Sequence, residues 1–395
     1  MRPLVFICLI LLTVTPLAGA QPIAIEFEHG DRVLFLGDGL FEVALDYGVI
    51  ESMLATRWPD RHVTFRNIGW SGDTVYGEAR DHFTNPPTPY QHLMTQIKTA
   101  KPTVAFAGYG SGLAFADDAG FAAFETGLEA LIDTLLALPA RVVLLAPPPH
   151  EPERSPVPDV AAYNANLRRA ADLIGAVAAR RELAFVDLFA GLSDAAIQPD
   201  RAITSNGIHL DDAGYQLAAD VIAASLGLPR PVETISIDIS EQRLDAGFGE
   251  ATSLALSPET VRFEFQQPTL PVGAEADKPA TLVVQGLRRG RYALYIDDMK
   301  VASASAEAWR AGVAFQNESE ARQAQRLQTS ILAMNDLFFQ QYRPQNETYL
   351  TGFRQYEQGQ NARELDLLTP LIGELDNEIG RLRVPRRYTY RLVAE

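Results

Sequence analysis

The sequence is nearly free of cysteine. Cys8 is the only cysteine among 395 residues, and it lies in an N-terminal apolar segment. With that segment removed, the chain has no disulfide, no thiolate nucleophile and no cysteine ligand for a metal. The six histidines are scattered and form no His-x-x-His pair, so their spacing predicts neither a metal site nor a metal cofactor. Loop carboxylates leave a calcium site open as an alternative.

The chain also lacks an excess of positive charge. It carries 34 Lys and Arg against 50 Asp and Glu, which gives a formal net charge of -16. Nucleic acids and anionic membrane surfaces repel such a chain, so neither is an expected partner. Hydrophobic residues make up 47% of the sequence, which is enough for a sizeable core. The length suggests about two domains.

The N-terminal segment has the order of a secretory signal peptide. Arg2 precedes an apolar run at residues 5–12, and Ala18, Gly19 and Ala20 supply the small residues of a cleavage site. An apolar core of about ten residues is too short to span a bilayer, which argues against a membrane anchor. We therefore predict that residues 1–20 are cleaved near Ala20 and that the mature protein is exported, periplasmic or extracellular, and not membrane-spanning.

Strand and helix patterns alternate from Ile23 to about Leu228. Five β-prone runs are separated by helical patterns, and residues 121–138 keep their apolar positions at a 3.6-residue period. This alternation predicts an α/β fold, a three-layer α/β/α sandwich with a parallel sheet over residues 21–230. The predicted strands are residues 33–36, 63–69, 103–108, 141–146 and 184–188.

The pattern changes after Pro231. Short strands separated by Gly, Pro and Asp turns predict a small β-rich module over residues 231–303. Residues 304–395 are predicted to form a helical C-terminal region, with a polar loop at 343–361 and a last strand at 388–393. The predicted strands of the module are residues 236–239, 261–265, 281–284 and 292–296.

The stretch that organises the chain is VLFLGDGL at residues 33–40. Its β-prone residues stop at the turn formed by Gly37, Asp38 and Gly39, and helical spacing begins at Leu40. In an α/β protein such a turn lies at the carboxyl end of a central strand, where ligands and catalytic groups collect. We therefore expect the functional site at this turn.

The turn resembles the first sequence block of the SGNH, or GDSL, hydrolases. That block reads Gly-Asp-Ser-Leu, and its serine is the nucleophile of the family; Gly39 stands in its place here. The resemblance implies a flavodoxin-like sandwich and a pocket shaped for esters, commonly those of acylated or acetylated sugars and lipids. Glycine has no side-chain atom that attacks an ester, so the chemistry of the family is not expected at this position.

Two further blocks of the family match loops after the second and third strands. Residues 67–74 (NIGWSGDT) resemble the second block, which implies that Gly69 gives a backbone N–H to the oxyanion; a plain turn is the alternative. Residues 108–115 (GYGSGLAF) resemble the third block, with Gly112 where the family has its oxyanion-binding asparagine. The glycines of this loop also suggest a dinucleotide loop, but they follow the third strand and lack the full spacing.

The last block of the family reads Asp-x-x-His. Residues 206–215 (NGIHLDDAGY) match it apart from the first residue. The resemblance implies that His209 is the base and that Asn206 occupies the place of the aspartate that orients it. In comparable triads, loss of the serine costs about 10⁶ in turnover and an amide in place of the carboxylate about 10⁴. A missing oxyanion donor costs about 10² to 10³.

These substitutions predict a pseudo-hydrolase. Its crevice would bind a small-molecule or glycan ester, or dock a protein partner, without cleavage. One alternative is an active ester hydrolase that uses a displaced serine, which would be Ser71, Ser111 or Ser205, or a water polarised by His209. The other is a structural component of the cell envelope built around the β module.

Loops around the crevice supply further candidates for ligand contact. Residues 147–158 are rich in proline and are predicted to form a rim or lid. Residues 342–354 combine polar and aromatic side chains and are expected to fold back over the crevice or to meet a partner. Aspartates of these loops have helix capping as an alternative role. The predicted ligand contacts are Asp38, Trp70, Ser71 and Tyr109, with Phe115 as a further aromatic, and the aspartates in question are Asp38, Asp73 and Asp211.

Overall fold

A five-stranded parallel sheet forms the centre of the N-terminal half. The fold is described from a computed structural model over residues 25–81, 87–198, 202–276, 278–350, 354–358 and 362–395, so the expected signal peptide and Cys8 lie outside the described residues. The strand order is β2-β1-β3-β4-β5 with every neighbouring pair parallel, which confirms the predicted sheet. The strands are β1 (Asp31–Gly37), β2 (Val63–Asn67), β3 (Val104–Gly108), β4 (Arg141–Leu145) and β5 (Ala184–Val186).

Helices cover both faces of this sheet and bury a separate apolar core on each. The predicted helix at 121–138 begins earlier, at Asp118, because the Asp117 carboxylate accepts the Gly120 N–H at 2.9 Å and caps the helix. The sandwich predicted for this part of the chain is therefore confirmed. Its helices are α1 (Gly39–Ala44), α2 (Val49–Arg57), α3 (Pro89–Ala100), α4 (Asp118–Ala137), α5 (Val160–Arg181), α6 (Leu188–Ala196) and α7 (Asp212–Ser225).

The C-terminal helices pack onto the sandwich. Leu327, Ile331 and Met334 lie fully buried in the same core as the first strand and the second helix, and Arg66 holds Asp376 in an ion pair at 2.7 Å. Within the described ranges, no helix is long and apolar enough to cross a bilayer. The helices of this part of the chain are α8 (Ala306–Ala311), which packs instead against strands of the β-rich part, and then α9 (Glu318–Tyr342), α10 (Glu347–Leu350), α11 (Gln355–Gln358), α12 (Ala362–Asp366) and α13 (Leu368–Leu382).

The remaining strands form two sheets that share one apolar core. Trp309 is completely buried in that core, and its indole N–H donates to the Tyr292 carbonyl at 3.2 Å. The sheets have the strand orders β13-β10-β6-β7 and β12-β11-β14-β9-β8. These strands are β6 (Thr234–Asp238), β7 (Arg243–Asp245), β8 (Glu250–Leu256), β9 (Thr260–Gln266), β10 (Ala280–Gln285), β11 (Arg291–Ile296), β12 (Met299–Ser305), β13 (Val313–Phe315) and β14 (Arg387–Ala394).

The expected boundary at residue 303 does not separate the β-rich part from the helical part. β13 and β14 follow that boundary in sequence, yet each completes one of the two sheets. The helix expected from Ala304 is likewise interrupted, because Gly312 has φ +110° and turns the chain into β13. The C-terminal region is thus shared between the sandwich and the β-rich part.

Candidate functional site

The carboxyl ends of β1 and β3 meet at the point where the strand order reverses. In such sheets this point opens a crevice that binds ligands. Gly37 lies beside Gly108 in the register, and a Cβ built on Gly37 would come within 2.1 Å of the Gly108 carbonyl oxygen. Only glycine therefore permits this close approach. It brings the loop after β1 into contact with the loop after β3.

Asp38 connects these two loops. One carboxylate oxygen accepts the Leu40 N–H at 3.1 Å and caps α1, and the other accepts the Ser111 N–H at 3.0 Å. Asp38 is 4% exposed, and burial raises the pKa of its carboxyl although these N–H groups oppose the shift. Its oxygens are occupied by backbone donors, so Asp38 serves the loop geometry.

A cavity of about 210 Å³, called the crevice below, opens at this position. It joins the positions of three of the family blocks, since Gly39, Gly112 and His209 all lie in its wall. Of the predicted ligand contacts, Asp38 and Ser71 also lie there. The full lining is Asp38, Gly39, Leu40, Ser71, Gly72, Asp73, Thr74, Ser111, Gly112, Phe115, Pro148, His150, Ile208, His209, Leu210 and Tyr215.

The two glycines of the crevice stand where the sequence resemblance places functional side chains. A Cβ built on Gly39 would lie 3.6 Å from Nε2 of His209 and 3.5 Å from Oγ of Ser71, both ordinary contact distances. A Cβ built on Gly112 would meet no atom within 4 Å. A Cβ atom at position 39 or at position 112 would therefore fit without moving its neighbours.

Asn206 fixes the tautomer of His209. Its Oδ1 accepts the backbone N–H groups of Ile208 at 3.1 Å and of His209 at 2.9 Å, so its Nδ2 is the atom that faces His209 Nδ1 at 3.2 Å. An amide nitrogen only donates, and Nδ1 must accept. The neutral ring therefore carries its proton on Nε2 and points a donor into the crevice. An aspartate would accept at Nδ1 and leave Nε2 free to take a proton.

His150 is a crevice residue that the sequence analysis did not single out. Its ring is 3% exposed, and Nδ1 has no hydrogen-bond partner among the described residues. The side chain of Asn164 holds its backbone on both sides, at 2.7 Å and 2.9 Å. Burial, and then the charge of His209, lower the pKa of His150. In the sequence, the feature that could have indicated His150 as a crevice residue is its position directly after the prolines that follow β4.

Gly69 does not reach the crevice. A Cβ on Gly69 would lie 2.5 Å from the Glu42 nitrogen, so this glycine is needed for packing against α1, and its N–H donates to Asn67 Oδ1 at 2.9 Å. Gly72 of the same block lies in the crevice wall with φ +78°. Its N–H has no acceptor among the described residues. Of the two glycines in this block, Gly72 is therefore the one that lines the crevice.

Trp70 and Tyr109 also lie outside the crevice wall. The Arg343 guanidinium covers the Trp70 ring, with Cζ 3.5 Å from the ring centroid. Tyr109 is 2% exposed and donates its hydroxyl to Asp73 at 3.4 Å. The predicted stacking of these rings on a ligand does not fit this arrangement. Of the three aromatic residues predicted to lie at the crevice, Phe115, which is 59% exposed, is the one that lines it.

The other aspartates of the motif loops are committed to the fold. Asp73 pairs with Arg80 at 2.8 Å, and both side chains are completely buried. Asp211 caps α7 by accepting the Gly214 N–H at 3.0 Å. Among the described residues, no group of three His, Cys, Asp or Glu side chains could hold a metal ion.

The three candidate serines are placed differently. Ser71 and Ser111 line the crevice, whereas Ser205 points its hydroxyl at the His209 carbonyl, 3.4 Å away. The Ser71 N–H donates to Glu42, which also pairs with Arg343 at 2.6 Å. Within the described part of the chain, no serine hydroxyl is hydrogen-bonded to the His209 ring. The described residues therefore do not form the hydrogen-bonded serine and histidine pair of a triad.

Comparison with known proteins finds a family match over the region that carries the crevice. The model of the GDSL-like lipase/acylhydrolase family matches residues 35–217. The search of curated proteins found no match. A gut microbial diltiazem-metabolizing enzyme is similar in structure, with a TM-score of 0.68 and 18% identity over 95% of this chain and 100% of its own. At this identity the similarity concerns the fold, and it includes the β-rich part and the C-terminal helices.

Two further solved structures are similar over about half of this chain. An acetylxylan esterase from Geobacillus stearothermophilus covers 52% of this chain and 98% of its own, with a TM-score of 0.40 and 17% identity. A member of the lipolytic protein G-D-S-L family from Veillonella parvula covers 49% of this chain and 96% of its own, with a TM-score of 0.37 and 15% identity.

Proposed function

We propose, from the premise that residues 35–217 form a domain of the GDSL-like lipase/acylhydrolase family, that the protein is an exported pseudo-hydrolase. Its crevice binds a neutral ester or glycan ligand and does not cleave it. Export rests on the signal-peptide pattern of residues 1–20. The ligand class rests on the chemistry of the crevice wall.

The hydrogen bond between Asn206 and His209 carries the proposal. It leaves the neutral ring with a proton on Nε2, so His209 is a donor where an ester hydrolase needs a proton acceptor. Gly39 removes the attacking oxygen at the same time. Gly39 and Asn206 are consistent with each other. Without a nucleophile there is no proton for His209 to accept, so a histidine that cannot act as a base is not an additional loss.

The groups that remain available in the crevice favour a neutral ligand with oxygen acceptors. Donors are His209 Nε2–H and the N–H of Gly72, whereas the hydroxyls of Ser71 and Ser111 lie beside the Glu42 and Asp38 carboxylates, and the Asp38 and Asp73 carboxylates are occupied by the fold. An anionic ligand would face the buried Asp38 charge without a cationic residue in the wall. A carbonyl, an ester or a sugar oxygen fits this set.

An ester hydrolase with Ser71 as nucleophile is the second candidate. Its support is the position of Ser71 Oγ, 3.5 Å from a Cβ built on Gly39 and thus beside the place of the family nucleophile. The two candidates differ in one observable. A nucleophilic serine forms a covalent adduct with a fluorophosphonate, and a binding crevice does not.

The experiment has two parts. The first tests whether a fluorophosphonate probe labels the protein, and the second measures the binding of phenyl acetate by ligand-observed NMR. We expect no adduct on the wild-type chain, no phenyl acetate hydrolysis above the buffer rate, and saturable phenyl acetate binding. Gly112→Leu should abolish that binding, since the new side chain enters open space in the crevice. Gly380→Leu is the matched control, because a Cβ there also meets no atom within 4 Å but lies on α13. An adduct on Ser71 that His209→Ala removes would overturn the proposal.

A further inference from the structure

A second cavity lies between the sandwich and the β-rich part. It has a volume of about 360 Å³, larger than the crevice, and is called the junction cavity below. Its wall combines the chain after α7, the segment before β10, the first turn of α9 and one residue of β14. At about 30 Å³ per water, its volume corresponds to roughly a dozen water molecules. It is wide enough for a small organic ligand.

Two buried polar side chains in its wall have atoms without a partner. Asn317 is 9% exposed and Glu320 is 4% exposed. Asn317 Nδ2 and Glu320 Oε1 make no hydrogen bond to any described residue. Helix capping explains only Asn317 Oδ1, which accepts the N–H groups of Ser319 at 3.1 Å and of Glu320 at 3.4 Å. The first turn of α9 thus carries a buried donor and a buried acceptor without a hydrogen-bond partner, in two residues that line the same cavity.

The charges of the wall favour a cation. Four carboxylates line the junction cavity against two basic residues. Of the carboxylates, Glu275 already pairs with Arg57 at 3.0 Å. No Lys, Arg or His nitrogen of the described residues lies within 4.0 Å of Glu320. The carboxylates are Asp220, Glu233, Glu275 and Glu320, and the basic residues are Arg230 and Lys278.

Aromatic rings complete the wall near these groups. Phe315 and Tyr390 both line the cavity, with ring centroids 5.9 Å apart and planes at 80°. Aromatic faces attract cations, and a buried carboxylate without a counter-charge is strongly unfavourable. Water would satisfy the hydrogen bonds of Asn317 but would supply no charge opposite Glu320. A ligand amine supplies both.

We propose that the junction cavity binds a small hydroxylated ammonium compound. Its amine pairs with Glu320 Oε1, and a hydroxyl beside the amine accepts the hydrogen bond from Asn317 Nδ2. The cationic end lies against the rings of Phe315 and Tyr390. This site uses no residue of the crevice and does not depend on the function proposed for the crevice.

D-glucosamine and D-glucose are a matched pair of probes, because they differ in one amine that replaces a hydroxyl. Binding to the full chain at pH 7 is measured by isothermal titration calorimetry. We expect glucosamine to bind in the millimolar range or tighter, and glucose at least about tenfold more weakly. Equal affinity for the two sugars, or no glucosamine binding at about 50 mM, would overturn the proposal.

Variants locate the binding. Glu320→Gln should lower glucosamine affinity at least about tenfold, whereas Glu318→Gln, in the same helical turn but exposed and paired with Arg322, should leave it unchanged. Ala321→Leu fills the same cavity and serves as a second loss variant, so that the test stands even where Glu320→Gln fails to fold. Gly112→Leu, which blocks the crevice, should retain glucosamine binding. Loss of binding in Gly112→Leu with retention in Glu320→Gln would place the sugar in the crevice and refute the junction site.

Discussion

The crevice and the junction cavity differ in what the protein does with its buried carboxylates. In the crevice, Asp38 and Asp73 are both satisfied by backbone N–H groups or by Arg80. At the junction cavity, Glu320 has an oxygen that accepts no hydrogen bond from any described residue. The crevice offers donors to a ligand, whereas the junction cavity offers an acceptor with a charge. The presence of polar residues therefore does not by itself indicate a ligand site. Polar atoms that have no partner within the fold do.

One helix connects the two regions. α9 has 25 residues and is about 37 Å long. Its first turn carries Glu320 into the wall of the junction cavity, while Arg343, directly after its last residue, covers Trp70 beside the crevice. A ligand that orders the first turn of this helix would act on the same rigid element that supports the crevice loop.

The largest expected effect comes from restoring the family residues in the crevice. Gly39→Ser supplies the attacking oxygen, but Asn206 still holds His209 with its proton on Nε2. Addition of Asn206→Asp should therefore raise kcat/KM for p-nitrophenyl acetate by roughly 10³ to 10⁴ over Gly39→Ser alone. Gly112→Asn should add a further gain of about 10².

The control for this series is His209→Ala in the restored background, which should return the rate to that of Gly39→Ser. Equal rates for the single and the double variant would show that Asn206 does not set the tautomer. A wild-type rate close to that of the restored chain would remove the basis for calling the crevice inactive.

The second effect tests whether the carboxylates of the crevice belong to the fold. Asp73→Asn leaves Arg80 as an unpaired cation at 0% exposure, so the free energy of unfolding should fall by about 3 to 5 kcal/mol. Asp118→Asn removes a partner of Arg169 in an ion pair whose side chains are 50% and 90% exposed. Urea denaturation should show no measurable change for this control. A loss equal to that of Asp73→Asn would mean that burial does not decide the effect.

The sheets could be predicted from the sequence wherever the pattern is local. The five strands of the sandwich are β-prone runs separated by helical patterns, and β14 (Arg387–Ala394) keeps a clear alternation of buried and partly exposed residues. β8 and β12 were missed because both are edge strands of their sheet, with mostly exposed or half-exposed residues and little apolar alternation. Edge position is a property of the assembled sheet and leaves a weak local pattern.

The candidate site was predictable only in part for a related reason. Block spacing located Gly39, Gly112 and His209 at one crevice, but the second block contains two glycines. Which of them lines the crevice depends on the path of the backbone, since Gly69 packs against α1 and Gly72 turns at positive φ. The junction cavity could not be predicted from the sequence, because its wall is assembled from four separate segments.

The third effect concerns the unused carboxylate of the junction cavity. Burial raises the pKa of Glu320 to about 7 from 4.5, and the neighbouring Asn317 side chain only partly opposes this shift. The folded state therefore holds this proton more tightly than the unfolded state, and stability falls as the pH rises from about 4.5 to about 7. Glu320→Gln removes this penalty, so the free energy of unfolding should rise by about 3 kcal/mol at pH 8 and hardly at all at pH 4.

Chemical denaturation at both pH values, without added ligand, measures this difference. The neighbouring titratable groups Tyr388 and Tyr390 stay protonated at these pH values, because burial raises the pKa of both. Glu318→Gln, at an exposed position of the same turn, should show no gain that depends on pH. An equal gain for Glu320→Gln at pH 4 and pH 8 would assign the effect to packing and contradict the charge argument.

The smallest expected effect lies where α9 meets the crevice. Arg343 joins the Trp70 ring to Glu42, and Glu42 accepts the Ser71 N–H. Arg343→Ala should lower the free energy of unfolding by about 1 kcal/mol and speed amide hydrogen exchange at residues 70–74. Arg343→Lys keeps the charge but loses the planar stacking on Trp70. It should therefore retain the ion pair with Glu42 and only part of the protection of these amides against exchange. Unchanged exchange in Arg343→Ala would mean that the Ser71 turn holds its shape without the helix, and that the crevice and the junction cavity are independent.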